Sequence, residues 1–199
     1  QDLPSLQQVV ERLEIAARSA LDFDYLTFSG NGEPTLYPRF AELVDEVVRI
    51  RNTYRPEAKI ALLSNATGLM RSEVRESIPK INFPIFKLDV GTAEKFRAIN
   101  RPAKGVVFAD VVAQLASLRN IYIQTMFIDG SPSNVEEGDL QAYFELLARI
   151  QPKEVHIYSI DRPVPHADLV LVPPQKLEEI ARRGERETGV RIKAFYARR

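Results

Sequence analysis

The chain has 199 residues, which is enough for one domain with a sizeable core, and its formal net charge is zero, from 27 basic and 27 acidic side chains. The balance argues against a general nucleic-acid or membrane-surface footprint but leaves a local basic patch open, and no apolar run approaches the roughly 20 residues that span a bilayer, so we expect a cytoplasmic protein. With no cysteine and only two histidines, these residues cannot form a disulfide or a thiolate–metal site.

Strand and helix patterns alternate along the whole chain, which is typical of a parallel α/β sheet or barrel. Several of the strands are near-continuous apolar runs, as expected when both faces of a parallel strand are buried. In chain order we predict helix Pro4–Ala20, strand Asp24–Ser29, helix Pro38–Arg51, strand Lys59–Ser64, helix Arg71–Ile78, strand Pro84–Asp89, helices Ala93–Ile99 and Phe108–Leu118, strand Ile121–Ile128, helix Val135–Ile150, strand Glu154–Ile160, helix Gln175–Thr188 and strand Val190–Phe195.

The first predicted element is an amphipathic helix with apolar residues at helical spacing and Asp2 as a candidate cap. A β/α unit has a strand before such a helix, and none precedes this one. Complete (β/α)8 barrels run to about 250 residues. The pattern therefore predicts an α/β protein with a partial (β/α)6 TIM-type barrel of parallel strands, lacking its first strand, in one partial core domain over residues 1–199.

The most distinctive segment follows the first predicted strand. Tyr25–Phe28 is a run of β-formers, and it breaks into Ser29-Gly30-Asn31-Gly32-Glu33-Pro34. Glycines directly after a strand leave no Cβ in the way of a ligand, and α/β folds bind ligands at the carboxyl ends of strands. The segment is thus either a loop that offers bare N–H and C=O groups to a small polar molecule or a tight strand-to-helix turn.

The order of these residues resembles the Gly-Gly-Glu-Pro motif of radical S-adenosylmethionine (SAM) enzymes, in the Gly-Asn-Gly-Glu-Pro-Thr form of a branch of iron–sulfur oxidoreductases. Leu63–Thr67 is similar to the family's Thr-Asn-Gly strand end, and Lys87–Asp89 to its next strand end. Phe96–Pro102 resembles the Arg-Ile-Asn-Arg-Pro run of the same branch. The resemblance covers about Phe23 to Arg162.

The resemblance implies a function and a set of site residues. In the family the loop holds the amino group of the methionine part of SAM, beside a [4Fe–4S] cluster whose electron cleaves SAM to a 5′-deoxyadenosyl radical that abstracts hydrogen from substrate. It also implies a reductant protein as partner, and it leaves the substrate, a tRNA or a protein among the options, open. The implied SAM residues are Ser29, Gly30, Asn31, Gly32, Glu33, Asn65 and Asp89, with Gln124 and Tyr158 nearer the adenosine or the substrate.

The chain departs from the family in one respect, the cysteines that hold the cluster. The family ligates its cluster through a Cys-x3-Cys-x2-Cys loop after the first strand, and this chain has no cysteine. We expect the strand and the loop within about 40 residues before Gln1. One alternative is a cluster-less module that binds SAM or a nucleotide. Another is an unrelated phosphate-binding barrel, against which the lack of glycine-rich loops near the last strands counts.

Single residues keep two interpretations each. Glu33 either shapes the loop or sits favourably near a helix N-terminus. Asp89 either accepts hydrogen bonds from ribose hydroxyls or starts a turn, and Lys87 on the same strand face either pairs with it or orients a charged substrate. Arg97 and Arg101 suit anion recognition or a solvated helix end.

The histidines and the charged run near the end of the chain are less informative. His156 alternates with apolar neighbours in a strand and is predicted to be a satisfied core or surface histidine rather than a catalytic base. His166 lies in a proline-rich segment and remains undecided. The run 178–187 is predicted to be a solvated helix face with i,i+4 pairs.

Overall fold

The computed structural model describes residues 3–30, 32–160 and 168–196. Asn31, His166 and the proposed cap Asp2 lie outside these ranges. The helices are α1 Leu6–Arg18, α2 Phe40–Tyr54, α3 Ser72–Ser77, α4 Ala93–Lys95, α5 Phe108–Ser117, α6 Glu137–Ile150 and α7 Pro174–Thr188. The strands are β1 Tyr25–Phe28, β2 Lys59–Ser64, β3 Phe83–Lys87, β4 Tyr122–Met126, β5 Ile128–Gly130, β6 Glu154–Tyr158, β7 Leu169–Leu171 and β8 Ile192–Ala194.

Six strands form one sheet in the order β1-β2-β3-β4-β6-β8, and β5 and β7 form a separate two-stranded sheet. The main order follows the chain, as expected when right-handed β/α crossovers place consecutive strands side by side. This is an α/β fold with the strand order of a partial TIM-type barrel, as predicted. Among the described residues β1 and β8 are its two terminal strands, so each has one unpaired edge.

The chain divides into two compact units, Gln1–Ile85 and Phe86–Arg199. In the first unit, β1 pairs in parallel with β2, with Phe28 opposite Leu62. The α1 helix begins with a capping box in which Ser5 accepts from the Gln8 N–H. A cavity of about 200 Å³ lies beside β1, and it is lined by Val9, Leu13, Leu26, Thr27, Phe28, Leu43 and Val47.

In the second unit, β4 pairs in parallel with β6 and β6 with β8. Val155 and Ile157 are fully buried, whereas the alternate residues His156 and Tyr158 are half-buried. The strands therefore have one apolar, covered face and one polar face, since successive side chains point to opposite sides. The α7 helix has the predicted pairs on its solvated side, among them Arg183 with Glu187 at 2.7 Å.

Three predicted elements differ from the structure. The strand predicted over Ile121–Ile128 is divided into β4 and β5, which belong to different sheets. No strand was predicted between Ile160 and Gln175, but this stretch contains β7, which pairs antiparallel with β5. The helix predicted over Ala93–Ile99 is a short α-helical turn followed by a π-helical turn, Phe96–Asn100. In each case tertiary pairing or a local extra residue, rather than hydrophobic periodicity, sets the structure.

Candidate cofactor and substrate site

The Glu33 carboxylate organises the loop after β1. Its Oε1 accepts from the Thr35 N–H at 3.0 Å, from the Thr35 hydroxyl, and from the Ser64 hydroxyl at 2.7 Å. Its Oε2 accepts from the Asn65 N–H at 2.6 Å. We call Glu33, Thr35, Ser64 and Asn65 the Glu33 cluster. One side chain thus ties the carboxyl ends of two neighbouring strands together, because β1 leads into Glu33 and β2 ends at Ser64.

A tight contact fixes the same corner of the first unit. A Cβ placed on Gly68 would lie 2.1 Å from Thr35 Oγ1, so only glycine lets the 3₁₀ turn Thr67–Met70 come this close. Asn65 Oδ1 accepts from the Thr67 N–H at 3.0 Å and closes an Asx turn. Sequence analysis predicted Asn65 as a site residue but missed Thr35 and Gly68. A glycine three residues after a strand-end asparagine was the available signal.

The glycines of the loop have a different character. A Cβ on Gly30 or Gly32 would meet nothing within 4 Å in the described part of the chain, and neither requires a positive φ. Ser29, Gly30 and Gly32 are all exposed. The fold therefore does not need glycine at these two positions. Their exposed backbone groups are free to face a ligand, as expected for a binding loop.

The second unit contains a buried carboxylate, Asp89, just after β3. Asp89 is 2% exposed. Its Oδ1 accepts from the Met126 N–H at 2.8 Å, and its Oδ2 accepts from the Asn100 amide at 2.6 Å, with Lys87 Nζ at 3.5 Å. Lys87 and Asp89 thus pair, one of the two predicted interpretations.

Burial is the largest influence on the Asp89 carboxyl. It raises the pKa of Asp89, and the favourable effects of Lys87, the Met126 N–H and Asn100 offset only part of the rise. A carboxyl in this position serves mainly to organise its neighbours, because both of its oxygens already accept hydrogen bonds.

Asn100 and Asn134 hold Asp89 in place. The π-helical turn Phe96–Asn100 ends at Arg101 in the left-handed conformation, and it carries the Asn100 amide to Asp89. The Asn100 Oδ1 atom is buried and has no hydrogen-bond partner. The Asn134 amide donates to the Asp89 carbonyl at 2.7 Å and to the Met126 carbonyl at 2.9 Å. Sequence analysis missed Asn134, which follows a Ser-Pro-Ser turn.

Gln124 and Tyr158 lie on the polar face of the same unit. Both are half-buried, and neither side chain makes a hydrogen bond among residues 3–30, 32–160 and 168–196. Burial raises the pKa of the Tyr158 hydroxyl, Lys87 lowers it and Asp89 raises it again, so these charges lie close to the ring. The hydroxyl therefore stays neutral near pH 7 and can donate one hydrogen bond.

The remaining candidates divide clearly. His156 is engaged as predicted, with Nε2 at 2.8 Å from Glu154 Oε1. Arg97 and Arg101 are exposed and form no ion pair with the described residues.

Within the described residues no group of three or more His, Asp or Glu side chains is arranged to hold a metal ion. Iron–sulfur clusters require thiolates as the main ligands, so the residues present do not fit a [4Fe–4S] cluster.

No protein-family model matches the chain. Among curated proteins it is similar to a GTPase Obg from Brachyspira hyodysenteriae, 22% identical over 191 residues, 94% of this chain and 27% of that protein. It is also 30% identical over 163 residues to a UPF0026 protein from Methanocaldococcus jannaschii, covering 80% of this chain and 48% of that protein. The chain spans between 27% and 56% of the length of the curated relatives it matches first.

Three solved structures show the class of fold. A domain of a pyruvate-formate lyase-activating enzyme from Bacteroides vulgatus covers 86% of this chain and 98% of its own, with a TM-score of 0.63 and 16% identity. SuiB from Streptococcus suis, in its S-adenosylmethionine complex, covers 99% of this chain and 45% of its own, with a TM-score of 0.68 and 12% identity. A radical SAM methyltransferase from Sphaerobacter thermophilus has the same fold, with a TM-score of 0.60. The chain therefore has the fold of radical SAM enzymes.

No helix among the described residues has the length and apolar character needed to cross a membrane.

Proposed function

We propose that this chain is the SAM-binding core of a radical SAM enzyme. The loop built on Glu33 is the observation that carries the proposal. Its carboxylate fixes the corner between β1 and β2, while Gly30 and Gly32 leave the backbone open where the fold does not require glycine. The motif that this loop resembles, and the fold shared with a SAM-bound structure, support the assignment.

In this proposal Ser29, Gly30, Gly32 and Glu33 hold the methionine end of SAM, with Asn31 in the same loop. The backbone carbonyls accept from the amino group, and Glu33 keeps the loop in shape, because both of its carboxylate oxygens already accept hydrogen bonds from Thr35, Ser64 and Asn65. Asn65 can offer its exposed amide. The roles of Asp89, Gln124 and Tyr158 toward adenosine or the substrate remain predictions. In this proposal Asp89 contributes by holding its neighbouring residues in position.

The test is equilibrium binding of SAM to the chain, measured by isothermal titration calorimetry. Gly30→Val should weaken SAM binding at least tenfold and leave the melting temperature unchanged, since a Cβ at Gly30 meets no described atom within 4 Å. Gly138→Ala, at another position without such a neighbour, is the matched control and should leave affinity unchanged. Equal affinities for the two variants would remove this loop from the site.

We further propose that the thiolates of the cluster, and the first strand of the fold, are supplied from outside residues 1–199. Radical chemistry needs such a cluster, and none of these residues can ligate one. The terminal position of β1 and the apolar cavity beside it support the missing strand, because a parallel neighbour would pair with the edge of β1, beside the half-buried Leu26 and Phe28.

The cluster proposal is tested by anaerobic reconstitution. The chain over residues 1–199 should retain no iron. A product that includes the coding sequence upstream of Gln1 should bind about four iron and four sulfide ions per chain, the composition of this cluster. With reductant it should slowly convert SAM to 5′-deoxyadenosine. A longer product that retains no iron, or leaves SAM intact, would favour the second candidate, a cluster-less SAM- or nucleotide-binding module, which the absence of cysteine specifically supports.

A further inference from the structure

A row of three polar side chains crosses the strands of the second unit. The parallel register places Gln124 of β4 opposite His156 of β6, and His156 opposite Lys193 of β8. They lie on the strand face opposite the buried Val155 and Ile157, since side chains alternate along a strand. We call Gln124, His156 and Lys193 the His156 row.

The imidazole of His156 is held in a fixed orientation. Its Nε2 lies 2.8 Å from Glu154 Oε1. Its ring packs against Tyr122, with centroids 6.0 Å apart, and against the edge of Phe195 at 5.0 Å. Its Nδ1 has no hydrogen-bond partner among the described residues. A histidine oriented through one nitrogen presents the other to a ligand, an arrangement that protein sites use repeatedly.

The row carries an excess of positive charge. The Glu154 carboxylate, which is 11% exposed, pairs with Lys193 Nζ at 2.9 Å and with Arg191 Nε at 3.3 Å. One shielded carboxylate therefore faces two permanent cations. Lys193 remains accessible, with 42% of its side chain exposed. Lys153 adds a further cation, 5.5 Å from the centre of the Tyr122 ring.

Gln124 adds an unengaged amide to the row. Its half-buried amide has no hydrogen-bond partner in the described part of the chain. An amide, an imidazole and an ammonium group lie side by side, and none of the three carries a negative charge. Such a set matches the several lone pairs of a carboxylate or phosphate, because hydrogen bonds to ionised oxygens are the strong ones.

We propose that the His156 row is a subsite for the anionic end of the substrate, a carboxylate or a phosphate group. The Gln124 amide and the Lys193 ammonium donate to the anion, and the imidazole of His156, which Glu154 orients, lines the site between them. The inference rests on the proposed function only in calling this ligand the substrate. The binding of an anion to the row is independent of SAM.

Nuclear magnetic resonance of the imidazole protons provides the test. The chain has only two histidines, so His166→Gln leaves His156 as a single reporter. We expect inorganic phosphate or acetate, titrated at fixed pH against sodium chloride at matched ionic strength, to shift the His156 signals saturably. Saturation by phosphate alone identifies a phosphate site, and saturation by acetate alone a carboxylate site. A linear shift with both anions, no larger than that with chloride, would overturn the proposal.

Variants separate the row from general surface charge. Lys193→Met and Gln124→Leu should each weaken the anion at least fivefold. Lys176→Met, which removes an exposed lysine of α7, should leave it unchanged. Equal effects of Lys193→Met and Lys176→Met would also overturn the proposal. Far-UV circular dichroism checks folding, and His156→Gln, followed by calorimetry, gives a second variant in which anion affinity should fall.

Failure of this proposal can be told apart from failure of the proposed function. SAM binding that survives while the anion response is absent overturns the subsite alone. An anion response in a chain that does not bind SAM overturns the SAM-binding core and leaves the subsite standing.

Discussion

At the scale of single residues, the Glu33 side chain alone makes the hydrogen bonds that hold the corner between β1 and β2. Its four described hydrogen bonds go to Thr35, Ser64 and Asn65. Glutamine keeps one acceptor oxygen, but its amide nitrogen would face a donor, the Asn65 N–H. We expect Glu33→Gln to lower the free energy of unfolding by roughly 1–3 kcal/mol, the cost of leaving such donors unpaired, as measured by urea denaturation.

The matched control for Glu33 is Glu57→Gln, at an exposed position in the first unit. Its free energy of unfolding should change by less than about 0.5 kcal/mol, as is usual for surface positions away from special features. A Glu33→Gln variant as stable as Glu57→Gln would show that the carboxylate does not hold this corner.

Asp89 should give the stability of the second unit a dependence on pH. Burial raises the pKa of Asp89 above its ordinary value of 3.8. The folded state then binds a proton more tightly than the unfolded state, so its stability is greatest at low pH and falls as the pH rises from about 3.8 through the raised value. Asp89→Asn should flatten this part of the profile, measured by urea denaturation at several pH values.

The Asp89→Asn variant should also fold, for a specific reason. The buried Asn100 Oδ1 has no partner in the parent and can accept from the new amide after a flip of the Asn100 side chain. Asp89→Ala offers no such replacement and should be the less stable of the two at every pH. A profile unchanged in Asp89→Asn would mean that Asp89 does not titrate in this range.

At the scale of elements, the turn after β3 is packed directly on α6. A Cβ on Gly91 would lie 2.3 Å from the Tyr143 N and 2.4 Å from the Ala142 carbonyl carbon. Backbone atoms cannot move aside as a flexible side chain can. Gly91→Ala should therefore lower the free energy of unfolding by about 1–3 kcal/mol, the usual cost of overpacking, measured by chemical denaturation.

Gly138→Ala, in the first turn of α6, is the control. It meets nothing within 4 Å in the described structure, and alanine favours a helix over glycine by roughly 0.5–1 kcal/mol. The two substitutions should thus change stability in opposite directions. Equal effects would contradict the close approach of this turn to α6.

Elements that depend on local pattern were predictable, and those that depend on distant partners were not. The apolar run of β2, the alternating pattern of β6 and the amphipathic α7 carry their own signals. The pairing of β5 with β7 does not, because three residues of each strand become a sheet only when the chain brings them together. The Glu33 cluster was predictable only in part. The motif indicated Glu33, but its hydrogen bond to Ser64 joins residues 31 apart in sequence, which no local pattern indicates.

At the scale of the whole molecule, the order of the main sheet follows from sequence alone, because crossover handedness permits few alternatives. The open edge is the feature with the largest consequence for behaviour in solution. β1 is a terminal strand, and an uncovered edge strand is a template for pairing with another chain. Residues 1–199 should therefore self-associate as their concentration rises.

Leu26→Lys should reduce that self-association, measured by sedimentation velocity over a range of concentrations. A charge on the edge strand, in the apolar cavity beside it, opposes pairing. Leu36→Lys, at a residue that is 58% exposed and outside the cavity, is the control and should leave association unchanged. A chain that stays monomeric, or an equal effect of both variants, would contradict a role for the β1 edge.

The glycines of this chain differ in how strictly the fold constrains them during evolution. Gly68 and Gly91 are demanded by contact with Thr35 and Tyr143, so any lineage that keeps the fold must keep them. Gly30 and Gly32 meet no such demand. Selection for folding alone would let these two positions vary freely. A lineage that retains all four glycines is therefore under a second constraint, exerted by whatever molecule occupies the loop.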